Sequence, residues 1–224
     1  MSVSTENFLK NIYLLNQEGQ SPVTSSLLAE KLNVSVAAVT DMARKMGKQG
    51  VLDYKPYRSL VLSEAGQKLA LKVIRKHRLW ELFLHKVLEM DLMTVHEEAE
   101  RLEHHTSDKL MEQMYKYLDK PDFDPHGDPI PGGDGIIPSE KGVRSLSELK
   151  EGGRCLIRKL RYRHQETSEM YERYGIEKDM VFKIKKVFSF DGSIELESGE
   201  GETITISRKL ADNIFCTEEE NVSK

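Results

Sequence analysis

The chain has 224 residues, 38% hydrophobic and 31% charged, with a formal net charge of −4. That is enough apolar material for a sizeable core and predicts more than one domain, whereas no run of roughly 18 apolar residues is present to cross a bilayer. Cys155 and Cys216 are the only cysteines, which excludes a disulfide framework and a Cys-x-x-Cys metal motif. Met1 to Lys10 lacks a basic segment followed by an apolar one, so the expectation is a cytoplasmic protein with no membrane partner.

In chain order, residues 5–18 predict a helix whose apolar face is Phe8, Leu9, Ile12, Tyr13 and Leu15, with Gly19 as its stop. Thr24–Lys31, a turn at Leu32–Val34 and Ser35–Gln49 follow, with Ser35 as N-cap and Gly50 as terminator. Helix, tight turn and helix, carrying Leu28, Ala29, Leu32, Val34, Val39, Met42 and Met46 as the apolar set, is the pattern of a helix-turn-helix. Val51–Tyr54 and Ser59–Leu62 then read as short strands around the polar turn Lys55–Arg58, forming a wing.

Charge supports the same assignment. Arg44, Lys45, Lys48, Lys55 and Arg58 face a single acid, Asp53, with Tyr54 and Tyr57 interleaved. The negative total therefore hides a basic N-terminal third. In a winged helix, the second helix enters the major groove while the wing touches phosphates. Ser35, Ala37, Thr40 and Arg44 are the expected groove-facing positions, with Lys48, Lys55 and Arg58 on phosphates. The implied partner is double-stranded DNA with a palindromic operator.

Glu64–Leu88 and Thr94–Leu118 predict two further helices. Leu79, Trp80, Leu82, Phe83, Leu84, Val87 and Leu88 are spread too widely for one amphipathic face, which predicts a homodimer contact. The same helices carry His77 and Glu81 at i, i+4, then His96, Glu100, Glu103 and His104 at i, i+4, i+7, i+8. At about 100° per residue each group falls on one face. Glu81, Glu100 and Glu103 brought together at a half-buried junction would repel one another unless a cation lay among them. A divalent metal site between helices is the expectation.

Residues 119–145 hold five of the seven prolines, with Gly127, Gly132, Gly133 and Gly135. They read as a restricted linker, with Asp124 and His126 in its first half. Beyond it, Arg154–Leu160, Val181–Phe188, Ser193–Leu196 and Thr203–Ile206 predict strands, with Asp191-Gly192 as a hairpin turn and a short helix near Ser168–Tyr174. A small β-barrel follows from them. The whole is mainly α with a small β domain: residues 1–64 a winged helix-turn-helix, 65–130 a helical dimerisation and metal-binding domain, 131–144 a linker, and 145–218 a small β-barrel.

Glu6-Asn7-Phe8-Leu9-Lys10-x-Ile12-Tyr13, Arg75-Lys76-His77-Arg78-Leu79-x-Glu81, His96-Glu97-Glu98-Ala99-Glu100-x-Leu102-Glu103-His104 and Pro125-His126-Gly127-x-Pro129-Ile130-Pro131 together resemble the diphtheria-toxin-repressor family of metal-dependent transcriptional regulators. Residues 145–216 resemble the SH3-like (FeoA-like) barrel of its longer members. The resemblance implies two metal sites. One would take Asn7, Glu100, Glu103 and His104; the other would take His77, Glu81 and His96, with Asp124 and His126. His164 is the implied ligand from the barrel. Glu100 stands where iron-responsive members have cysteine, which favours Mn(II), with Fe(II) next. Asn7 replaces a methionine or aspartate, and Lys10 replaces a carboxylate of the manganese-responsive members.

The implied function is a metal-dependent repressor of metal-uptake genes. A metal-independent winged-helix regulator sensing an organic ligand is the alternative. A metallohydrolase using His77, Glu81 and His104 ranks last, because no His-Glu-x-x-His motif is present and the basic third would have no purpose.

Overall fold

The computed structural model describes residues 2–17, 20, 22–56, 58–92, 94–138, 142–162 and 165–219. It divides into two compact units, residues 1–122 with 130–137, and residues 123–129 with 138–224.

In the first unit, α1 (Val3–Gln17), α2 (Ser25–Leu32) and α3 (Val36–Lys48) close over a core of Phe8, Leu9, Ile12, Leu15, Leu28, Val39 and Met46. The turn between α2 and α3 works because Asn33 adopts a left-handed conformation, with φ 52°, and its N–H bonds the Ala29 and Glu30 carbonyls. Ser35 Oγ then accepts from Ala38 N at 3.1 Å and starts α3. The expected wing is narrower than two strands: Leu52 and Leu62 form a single antiparallel bridge. Asp53 N donates across to Val61 O at 2.8 Å, but Tyr54 N turns back to Leu52 O, which ends the ladder. Tyr57 lies outside the described residues, as does Gly19.

Helix α4 (Glu64–Leu88) is capped by Ser63, whose Oγ accepts from Gly66 N at 3.2 Å and donates to Gly50 O at 2.7 Å. Gly66 is required there, since a Cβ would lie 2.0 Å from the Val51 carbonyl oxygen. The close approach ties the start of α4 to the helix-turn-helix. Along its length α4 packs against α1 and against α5 (Val95–Glu103).

The helix expected over Thr94–Leu118 is two helices, α5 and α6 (Asp108–Tyr117). Thr106 Oγ1 donates to Leu102 O at 2.7 Å and accepts from Trp80 Nε1 at 2.6 Å. Ser107 caps α6 through Leu110 N at 3.2 Å. Two consecutive hydroxyl residues thus take over backbone groups that a continuous helix would use. Leu79, Met111, Met114, Leu118 and Ile130 form the core here, with Trp80, Leu82, Phe83 and Val87 partly buried beside it.

The second unit is a six-stranded antiparallel sheet in the order β1-β6-β2-β3-β4-β5. Its strands are β1 (Val143–Ser145), β2 (Arg154–Leu160), β3 (Val181–Val187), β4 (Ile194–Ser198), β5 (Thr203–Ile206) and β6 (Ile214–Glu219). Helix α7 (Gln165–Tyr174) and the short α8 (Arg208–Ala211) accompany it. Register shifts at Ile157/Lys159 and Ile184/Lys186 bend the sheet. Cys155, Ile157, Ile184, Leu196, Ile214 and Cys216 lie in its core. No helix among the described residues is long and apolar enough to cross a membrane.

Candidate metal centre and nucleic-acid surface

His77 and Glu81 are four residues apart on α4, and both are buried. Helix α5 lies against them and presents His96, whose side chain is 60% exposed. Three atoms form a nearly equilateral triangle. His77 Nε2 is 3.0 Å from Glu81 Oε1 and 3.1 Å from His96 Nδ1, and His96 Nδ1 is 3.1 Å from Glu81 Oε1. Hydrogen bonds alone do not satisfy such a triangle, because the carboxylate oxygen takes both N–H groups and leaves the two nitrogens facing each other.

A cation does satisfy it. An ion about 2.15 Å from all three atoms sees them at right angles, as one face of an octahedron, whereas a tetrahedral ion at about 2.0–2.1 Å needs ligands roughly 3.3–3.4 Å apart. Two imidazole nitrogens and one carboxylate oxygen are a borderline donor set. With water in the remaining positions, they suit a six-coordinate Mn(II) or Fe(II).

The other edge of His77 is engaged differently. Its Nδ1 lies 2.6 Å from Glu103 Oε2, and since a carboxylate only accepts, the imidazole donates. That leaves Nε2 turned to the triangle, in the carboxylate–histidine arrangement that orients metal ligands. Burial disfavours the imidazolium, but the Glu81 charge and the hydrogen bonds that His77 gives to Glu103 and Glu81 outweigh it, and the His77 pKa is pushed up to about 9.

Glu103 is wholly buried, and Lys10 from α1 reaches it. Lys10 Nζ donates to Glu103 Oε1 at 2.9 Å and Oε2 at 2.8 Å, and to Glu100 Oε1 at 2.5 Å. Burial alone would raise the Glu100 pKa, but the Lys10 charge and hydrogen bond win and hold it below the usual carboxylate range.

The face expected to carry His96, Glu100, Glu103 and His104 together therefore serves three neighbours. His96 joins α4, Glu100 and Glu103 meet Lys10, and His104 turns to Glu6. His104 Nδ1 donates to Glu6 Oε2 at 2.6 Å, which holds the ring with Nε2 turned away from Glu6. That Nε2 is buried without a hydrogen-bond partner and lies 3.2 Å from Glu103 Oε1. Asn7 Oδ1, on the next residue of α1, is also buried without a partner. An unpartnered imidazole nitrogen beside a carboxylate oxygen is an arrangement that a cation would complete. Glu6 was not among the expected site residues. Its only sequence signal is its place beside Asn7, and its role depends on a partner 98 residues away.

Asp124 and His126 belong to the second unit, where Asp124 Oδ1 accepts from Asp128 N at 2.8 Å. His164 lies outside the described residues.

On α3, Ser35, Ala37, Arg44 and Lys48 are exposed and Thr40 is half-buried, its hydroxyl bonded to Val36 O at 2.9 Å. Arg44 pairs with Asp41 at 3.1 Å, both well exposed, so the guanidinium remains available. Lys55 and Arg58 are exposed in the turn beyond Leu52.

Three family models match. Residues 1–60 match the iron dependent repressor N-terminal DNA binding domain, 63–132 the iron dependent repressor metal binding and dimerisation domain, and 144–218 the FeoA domain. An HTH-type transcriptional regulator of Methanocaldococcus jannaschii is 38% identical over 120 residues, 54% of this chain and 96% of its own length. The diphtheria toxin repressor of Corynebacterium diphtheriae is 37% identical over 153 residues, 68% of this chain, and the match spans only 65% of that repressor. Among solved structures, a manganese-dependent transcriptional repressor in complex with manganese superposes with a TM-score of 0.80 at 30% identity, covering 96% of this chain and 100% of that one. The manganese regulator SloR gives 0.76 at 29% identity, covering 98% and 100%.

Proposed function

The chain belongs to the iron-dependent repressor family, and from that premise we propose that it is a homodimeric, metal-dependent DNA-binding repressor of metal-homeostasis genes. The observation that carries the reading is the triangle of His77 Nε2, Glu81 Oε1 and His96 Nδ1, spaced for a six-coordinate ion. Asn7 and His104 are the second proposed pair of ligands, with Glu6 orienting His104. When bound, Mn(II) or Fe(II) supplies positive charge that cross-links helices; it performs no reaction. The protein is read as a regulator and not an enzyme, acting in the cytoplasm where its DNA lies.

The protein's own residues carry the coupling. His77 and Glu81 hold α4 against His96 of α5. Glu103 holds His77 by Nδ1 and Lys10 by both oxygens, and Lys10 belongs to the helix that supplies Phe8, Leu9 and Ile12 to the helix-turn-helix core. The orientation of α3 is thus set through α1 by groups that also face the ligand atoms. Ser35, Ala37, Thr40 and Arg44 read bases, while Lys48, Lys55 and Arg58 neutralise phosphates. A ligand that binds the DNA-competent arrangement a hundredfold better shifts the balance by about 2.7 kcal/mol.

Selection from a randomised duplex pool, with Mn(II) and with chelator, tests this. A two-fold symmetric sequence enriched only with metal is expected. Equal enrichment in chelator would overturn the reading in favour of an organic-ligand regulator.

A further inference from the structure

Among the described residues, two groups bring three ligand atoms within 4.8 Å of one another: His77, Glu81 and His96, and His77, Glu100 and Glu103. Both draw on His77, the first through Nε2 and the second through Nδ1. They differ in what already lies between them. Lys10 places its ammonium inside the second group, 4% exposed, 3.5 Å from His77 Nδ1. An ammonium has three N–H donors and no acceptor. Here three carboxylate oxygens receive them: Glu100 Oε1 and both oxygens of Glu103. The donor count and the acceptor count match, so the ammonium is fully coordinated.

A divalent ion has no place in that group. His77 Nδ1 carries the proton it gives to Glu103, so it offers no lone pair on this side. The oxygens a metal would need are the ones Lys10 holds, and a divalent ion brought within a few ångströms of a buried ammonium is strongly repelled. We infer that Lys10 is the built-in cation of the junction between α1 and α5, removing one divalent-metal position from each protomer and making permanently the link that an ion there would make on demand. The inference rests on the metal-sensor reading above and adds to it. Metal then acts through the His77–Glu81–His96 triangle and through Asn7 and His104, none of which uses an oxygen that Lys10 holds, while the α1–α5 contact through Lys10 persists in both states.

The test compares full-length wild type with Lys10→Glu, which exchanges the ammonium for a carboxylate at the same reach. Mn(II) is titrated by calorimetry and ions are counted after gel filtration. The variant is expected to take up one more Mn(II) per protomer than wild type. Part of its Mn(II) electron-paramagnetic signal is expected to be lost to exchange coupling, because Glu103 would now bridge neighbouring ions. An unchanged count, or a coupled pair already present in wild type, would overturn the inference.

Should Lys10→Glu fail to fold, wild type alone decides it. Amine acetylation read by mass spectrometry should leave Lys10 protected both without metal and at saturating Mn(II). Acetylation of Lys10 appearing on metal addition would show the ion displacing the ammonium, and the inference would fall. A wild type that binds no ion at all sinks the sensor reading instead, and the protection of Lys10 without metal still separates the two.

Discussion

The two edges of His77 set one imidazole against two acidic environments. On the Nε2 edge, Glu81 and His96 converge on His77 to 3.0–3.1 Å spacing, which an ion from solution would complete. On the Nδ1 edge, Glu103 and Glu100 bring ligand atoms within 4.8 Å of His77 and of each other, and the chain supplies Lys10. Carboxylate density is similar, but the sources of neutralising charge differ. A cation that is part of the chain is always present and serves stability; one that must come from solution makes the same geometry responsive. The second edge is also the better buried, with Glu103 wholly enclosed and His96 largely open to water.

The largest effect should come from the permanent edge. Replacing Glu103 by Ala takes two of the three carboxylate oxygens from a buried ammonium and leaves the buried His77 Nδ1 without its acceptor, and metal-free protein should lose about 3–5 kcal/mol in urea unfolding. A loss below 1 kcal/mol would mean that Lys10 finds solvent and that this edge is not structural.

His96→Ala should do the reverse. The exposed imidazole carries little fold energy, so unfolding of the metal-free chain should shift by no more than about 0.5 kcal/mol. Metal affinity at the triangle should nonetheless fall by about 100-fold, since even outer-shell partners of ligands contribute 10–100-fold. Equal losses from both variants in both assays would erase the distinction between the edges.

A smaller effect follows from the protonation of His77. Its folded pKa, about 9, lies above the ordinary value of 6.5. The metal-free protein therefore has the full stabilisation from this group below pH 6.5 and loses it as the pH rises through about 9. Urea midpoints measured across that window should decline, and a His77→Gln variant should remove this part of the decline. A wild-type midpoint that rises over the window would contradict the assigned pairing with Glu81 and Glu103.

The smallest effect lies away from the cluster. Arg58→Ala should weaken binding to all duplexes alike and reduce the salt slope by about 1, with metal stoichiometry unchanged. If Arg58→Ala altered the metal count, the DNA surface and the metal edges would not be separable.

The N-terminal helices were legible because their signals are local. Ser35 caps the helix it precedes, and apolar periodicity marks the face that meets the core. Turn chemistry and alternation likewise located four of the six strands, while β1 and β6 escaped. β1 is three residues long and β6 is recognisable by its pairing with β1 and β2. The break at Thr106 and Ser107 was hidden because a hydroxyl competes for backbone groups only when it has somewhere else to bond, and Trp80 provides that.

The cluster divides along the same line. Spacing alone established that His77 and Glu81 share a face, that His96 through His104 share another, and that so much negative charge needs a cation. Helical periodicity fixes direction around an axis but not what stands opposite. Tertiary structure alone decided that Lys10, 93 residues from Glu103, is one such cation and that Glu6 orients His104, whereas the family resemblance already grouped His96 with His77 and Glu81. Those choices depend on how α1, α4 and α5 pack, which is set by apolar side chains that take no part in the chemistry.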